Sequence, residues 1–155
     1  MSLADVEADV YECAARYRRD HGLNAYAAAT NLVTVHAGAV DAIQMSAALA
    51  ALVRAELARR ALATPTVLNI GTGAVTFLTS GAGTDDRRVR ILLPHPQAQA
   101  IRTVPGSPIV LPGPADEVHV WLDPPSGTLR PEFRTVEAVT CSAAAQLSSE
   151  ALRPR

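Results

Sequence analysis

The residues best suited to chemistry in this chain alternate along one predicted strand. His119, Trp121 and Asp123 lie at every second position of segment 118–123, so we expect them to share one face of that strand. Val118, Val120 and Leu122 are expected to point to the other face, toward the core. An imidazole and an indole on an exposed strand face could stack on a base or another planar ligand. A Trp that packs beneath a neighbouring helix explains the same pattern, and we favour that interpretation. These three residues are therefore candidate binding residues with no catalytic role assigned.

Two arginines on another predicted strand form the second candidate binding group. Arg88 and Arg90 alternate along segment 88–93, and together with Arg87 they follow the acidic pair Asp85 and Asp86. Guanidinium groups along a strand edge could contact the phosphates of a nucleotide or nucleic acid. The neighbouring carboxylates cancel much of that positive field, so a solvated edge that resists pairing with other chains is the preferred interpretation.

The remaining polar motifs assign no catalytic residue, no metal site and no cofactor. None of the four histidines has the HxH, HxxxH or HExxH spacing of a local zinc site. The glycine-rich segments 71–73 and 80–84 resemble phosphate loops, but the chain has no Lys and neither segment opens a predicted helix. We therefore expect both segments to be turns. Cys13 and Cys141 both fall on apolar helix stripes, where we expect small core residues rather than reactive thiols. An enzyme is thus the less favoured class of protein.

Composition places the chain among single-domain, non-membrane proteins. Its 155 residues suit one domain, and the longest apolar stretch, 47–53, is far shorter than a membrane span. A net charge of −1 provides no general attraction to nucleic acid or membranes. The two distant cysteines form no disulfide framework, and no signal peptide is recognisable, so we expect a cytoplasmic protein.

Three helices are predicted to hold these residues in place. The first covers 3–21, with Ser2 as its N-cap, Asp5 in a capping box and Gly22 as its terminator. The second covers 46–62 and the third 131–147, both from apolar residues at helical spacing. Residues 148–155 are expected to form a frayed tail, which leaves one globular domain at 1–147.

Short strands separated by Gly, Pro and Asp turns fill the rest of the chain. They dominate residues 64–125, and segment 31–45 is predicted to form a further hairpin around Gly38. An Ala-rich helix through 31–45 is the alternative. The predicted fold is therefore α+β, with a mostly antiparallel sheet of five to seven strands covered by about three helices.

One stretch resembles a known family. Segment 103–112 (TVPGSPIVLP), followed by 118–125 (VHVWLDPP), is similar to the later sheet of small actinobacterial proteins of the bifunctional DNA primase/polymerase-like family, and strand 74–79 would match a preceding core strand. Catalytic members carry alternating acids that hold two metal ions. Asp85 and Asp86 are adjacent instead, so the resemblance implies a relative that lacks the acidic catalytic motif.

Two functions follow from these observations. The first is a small, non-catalytic cytoplasmic binding or adaptor module whose partner is another protein or a second copy of itself. The alternative is a degenerate or accessory primase/polymerase-like protein that acts on nucleic acid or nucleotides. Nucleic acid is the less supported partner because the net charge is close to zero, and no membrane partner is expected.

Overall fold

The computed structural model describes residues 2–81, 90–91 and 99–151. Arg88 and the pair Asp85–Asp86 lie outside these residues, and only the backbone of Arg90 is described. Within the described part, three α-helices and two antiparallel sheets form an α+β structure. The predicted fold class is therefore confirmed, with the strands divided between two sheets.

The three predicted helices are present, and their observed bounds differ from the predicted ones by up to four residues. They are α1 (Leu3–His21), α2 (Ala47–Arg59) and α3 (Phe133–Ala151). At the start of α1, the Ser2 hydroxyl accepts from the Asp5 N–H (3.2 Å) and the Asp5 carboxylate accepts from the Ser2 N–H (3.0 Å). Gly22 ends α1 in the left-handed conformation that favours glycine. The helix α3 continues four residues beyond the predicted end at 147. Within the described residues, none of the helices is long and apolar enough to cross a membrane.

The strands lie between the segments that are rich in turn residues. They are β1 (Tyr26–Ala27), β2 (Val33–His36), β3 (Val40–Met45), β4 (Thr66–Asn69), β5 (Val75–Ser80), β6 (Arg90–Ile91), β7 (Ala100–Arg102), β8 (Pro108–Leu111) and β9 (His119–Asp123). One sheet has the order β1-β2-β8, and the other has the order β6-β7-β3-β5-β4-β9. The β4–β5 connection is the predicted turn, where the Asn69 side chain accepts from the N–H groups of Gly71 and Thr72.

The predicted hairpin at 31–45 is wrong, although both of its strands exist. The strand β2 pairs with β1 and β8, whereas β3 pairs with β5 and β7 in the other sheet. The connection at Gly38 is thus a corner between sheets. Backbone hydrogen bonds from distant parts of the chain hold this corner in place. The Ala37 N–H donates to the Ser107 carbonyl, and the Gly81 N–H donates to the Ala39 carbonyl. Because both strands are largely buried, their local patterns do not reveal which neighbour each one takes.

Two apolar clusters pack on opposite faces of the six-stranded sheet. The first joins the sheet to α2 and α3, with Phe77, Ile43 and Val136 fully buried. The second joins it to α1 and the three-stranded sheet, and includes Leu78 and Val33. The edge strand β9 lies beside both clusters, because Leu122 packs against the first and Trp121 against the second.

A buried ion pair lies between β3 and β7. The Arg102 guanidinium donates to the Asp41 carboxylate through Nη2 (2.6 Å) and Nε (3.1 Å), and the two side chains are only 4% and 2% exposed. The guanidinium also lies 4.6 Å from the centre of the Phe133 ring at the start of α3. A charged pair this deep is stable only when hydrogen bonds satisfy both partners, so it ties α3 to the sheet.

Candidate functional site

A bulge in β9 separates the residues that the sequence placed on one strand face. Val67 of β4 pairs with Trp121, and the next residue back, Thr66, pairs with Asp123. Leu122 is therefore an extra residue that shifts the side-chain alternation by one position. As a result, Trp121 contacts the side of the sheet that carries α1, whereas Asp123 contacts α2 on the other side. The prediction of a shared face is thus wrong for Asp123.

Trp121 packs beneath α1 with its polar atom occupied. Its indole N–H donates to the Tyr17 hydroxyl (2.9 Å), and that hydroxyl donates to the Pro112 carbonyl (2.5 Å). The rings of Tyr17 and Trp121 meet edge to face, with centres 6.0 Å apart. Burial raises the pKa of Tyr17 to about 12, so its phenol keeps the proton that this chain of hydrogen bonds requires.

His119 is engaged by the loop that precedes its own strand. Its ring Nδ1 lies 2.7 Å from a carboxylate oxygen of Asp116, whose other oxygen accepts from the N–H groups of Val118 and His119. Burial of Asp116 would raise the pKa of that carboxyl, but these hydrogen bonds outweigh burial and lower it. The arrangement fixes the start of β9.

The apolar residues of β9 are also less buried than the sequence predicts. Val118 and Val120 were expected to point into the core with Leu122, yet they are 41% and 39% exposed. Of Val118, Val120 and Leu122, only Leu122 packs against a core cluster. In the described residues, β9 is the last strand of its sheet, and side chains at a sheet edge have fewer neighbours than those of central strands.

An open groove lies between α2 and the end of β9. It has a volume of ≈ 790 Å³, and we call it the α2–β9 groove. Its lining combines small apolar residues with one ion pair and two threonines: Ala51, Arg54, Ala55, Leu57, Ala58, Ala61, Leu62, Ala63, Thr64, Thr66, Phe77, Asp123 and Pro124.

The alanine content of α2 explains why this groove exists. The buried face of α2 carries Leu49, Val53 and Leu57, while exposed alanines at 51, 55 and 58 follow one another at spacings of four and three. Residues at these spacings share one helix face. Methyl groups on that face leave space above the buried Phe77 that longer side chains would fill.

The Arg54–Asp123 ion pair forms the polar part of this groove. Arg54 Nε lies 2.9 Å from Asp123 Oδ2, and Arg54 Nη2 lies 3.1 Å from Oδ1. The side chains are 39% and 46% exposed, so solvent reaches both. The hydrogen bond with Asp123 raises the pKa of Arg54, which keeps the guanidinium charged. Sequence analysis named Asp123 but not Arg54, because the two residues are 69 positions apart.

A smaller groove of ≈ 400 Å³ lies on the other side of β9, between α1 and the loop after β8. Its lining includes Trp121 and Tyr17 together with Asp9, Glu12 and Pro112. The polar atoms of both aromatic rings are already bound within the protein. Its volume is about half that of the α2–β9 groove.

The two cysteines differ in their surroundings. Cys13 is buried in the second cluster, as predicted, but Cys141 of α3 is exposed, so the prediction of a core position for Cys141 is wrong. Burial raises the pKa of the Cys13 thiol. Among the described residues, no group of three or more His, Cys, Asp or Glu side chains could hold a metal ion.

No family model, no curated protein and no solved structure matches this chain. A function for this chain is therefore inferred from the geometry of its own residues. Of the candidate binding residues, the structure brings Asp123 into the larger groove and Trp121 into the smaller one.

Proposed function

We propose that this protein is a small binding module that holds an apolar small molecule in the α2–β9 groove. The observation that carries this proposal is a groove of ≈ 790 Å³ with alanine and leucine walls and a single ion pair. Ligand sites in proteins are typically concave, mostly apolar and about 300–1,000 Å³ in volume, with a few polar groups that orient the ligand.

The chemistry of the walls favours an elongated apolar group as the ligand. The exposed methyl groups of Ala51, Ala55 and Ala58 and the side chain of Leu62 offer no hydrogen bonds. The two threonine hydroxyls in the lining already donate to backbone carbonyls, Thr64 to Leu62 and Thr66 to Thr64. Binding would thus be driven by removing apolar surface from water.

We place this activity in the cytoplasm. Two free thiols, one of them exposed, suit a reducing compartment. The protein partner and the self-association expected from the sequence remain separate predictions, and neither is needed for ligand binding in this groove.

A neutral fluorescent probe tests the proposal. N-phenyl-1-naphthylamine is apolar and uncharged, and its emission rises when it leaves water. We expect saturable binding to the wild-type protein and its loss in Ala58→Phe, because the larger ring fills the groove. Titration followed by fluorescence measures both effects.

The matched control is Ala8→Phe, which makes the same change at an exposed position of another helix, α1. This variant should bind the probe like the wild type. Equal binding by wild type and Ala58→Phe, or no saturable binding to the wild type, would contradict the proposal. Circular dichroism checks that both variants keep their helices.

A further inference from the structure

We infer that the α2–β9 groove selects apolar ligands that end in a carboxylate, with Arg54 as the residue that binds this group. The inference rests on the proposed function, because it names the chemical class of the ligand in the same groove. It is carried by the way in which Arg54 pairs with Asp123.

The guanidinium of Arg54 has one edge occupied and one edge open. Its bonds to Asp123 use Nε and Nη2, which form the side edge of the group. The end edge, made of Nη1 and the second hydrogen of Nη2, takes part in none of the hydrogen bonds made by the described residues. Two parallel N–H donors on such an edge match the two oxygens of a carboxylate.

Asp123 holds that guanidinium in place before a ligand arrives. The bulge at Leu122 moves Asp123 to the α2 side of the sheet, and Pro124 follows it directly. Two hydrogen bonds, at 2.9 and 3.1 Å, then fix the plane of the Arg54 group. An arginine that is already oriented loses less conformational entropy when it binds a second acceptor.

Arg54 lies in the lining beside exposed alanines of the same helix face. A ligand with its chain along Ala55 and Ala58 would therefore place its end group near Arg54. An amine at that end would meet the like charge of Arg54, and a neutral amide would form weaker hydrogen bonds.

Three probes with the same ten-carbon chain test the inference: decanoate, decanamide and decylamine. Each is titrated against the protein loaded with N-phenyl-1-naphthylamine at pH 7.5 and low salt, and decanoate binding is also measured by calorimetry. We expect decanoate to displace the dye at a concentration about tenfold below that of decanamide, and decylamine to be the weakest. In 1 M salt the preference should shrink, because the ion pair at this half-exposed rim is screened.

The variants assign the preference to one residue. In Arg54→Gln, decanoate and decanamide should bind equally, while dye binding shows that the groove persists. Arg54→Lys should keep part of the preference, because it retains the charge but loses the forked edge. The control Arg18→Gln removes an arginine from α1, outside the residues that line this groove, and should leave the preference unchanged.

The possible outcomes separate the two proposals. If the wild type binds the dye and decanamide displaces it as well as decanoate does, the carboxylate inference is overturned and the apolar binding module stands. If decylamine is preferred, the inference is likewise overturned. If neither the dye nor any of the three probes binds, both proposals fail.

Discussion

The single Trp of this chain packs against the protein itself, and its indole N–H is bound by another residue. Its N–H donates to Tyr17, and Tyr17 in turn donates to the Pro112 carbonyl. The sequence predicted a helix over this Trp, but it did not single out Tyr17. Tyr17 is 104 positions away, and nothing in its local helical pattern distinguishes it from any other buried aromatic residue.

Tyr17 makes protein stability depend on pH in the alkaline range. Its pKa is raised by burial from 10.0 to about 12, so above pH 10 the unfolded chain releases this proton while the folded protein retains it. The free energy of unfolding should therefore fall as pH rises from 10 through about 12. Urea denaturation at a series of pH values measures the loss.

The variant Tyr17→Phe provides the comparison for this effect. It cannot ionise at position 17, so its stability should lack this part of the alkaline decline, and its absorbance at 295 nm should lack the step near pH 12. If the free energies of unfolding of the two proteins fall in parallel between pH 10 and 12, the pKa of Tyr17 is not raised in the folded protein.

The way in which strands are connected depends in places on close contacts between distant backbone segments, which a local sequence pattern does not show. The turn between β4 and β5 was predicted, because its residues supply their own hydrogen bonds. The corner between β2 and β3 was mistaken for a hairpin. There, the Gly81 N–H donates to Ala39, and a Cβ on Gly81 would lie only 2.2 Å from the Gly38 carbonyl oxygen.

Gly81→Ala should destabilise the protein for this reason. The added methyl group would force the corner backbone apart, at a cost of about 1–3 kcal/mol, which is typical of overpacking. Guanidinium denaturation followed by circular dichroism measures the change. Gly38→Ala is the matched control, because a Cβ there meets nothing within 4 Å, and it should cause no comparable loss. A stable Gly81→Ala protein would show that the two segments do not touch.

At the scale of the whole molecule, two apolar clusters form the core, and the Asp41–Arg102 pair is buried beside them. This pair links β3 to β7, and the ring of Phe133 brings α3 against the guanidinium. Such a pair contributes little net stability compared with apolar residues of similar size, but breaking it leaves a buried charge without a partner.

Arg102→Met should therefore destabilise the protein strongly, by about 3–5 kcal/mol. The double variant Asp41→Leu with Arg102→Met removes both charges and should recover most of that loss. The free energies of unfolding of the wild type, both single variants and the double variant form a cycle that isolates the interaction. A double variant no more stable than Arg102→Met alone would mean that the charge left on Asp41 is not the cause.

The sequence by itself determined the class of fold, the three helices and most strand positions, because capping residues, turn residues and apolar spacing act over a few neighbours. Only the tertiary structure decided which strands pair and where Asp123 points. The bulge at Leu122 and the corner at Gly38 are set by contacts with β4 and with Gly81. The α2–β9 groove likewise joins residues 69 positions apart. Local periodicity reports which side of an element is apolar, but it carries no information about the partner that will cover that side.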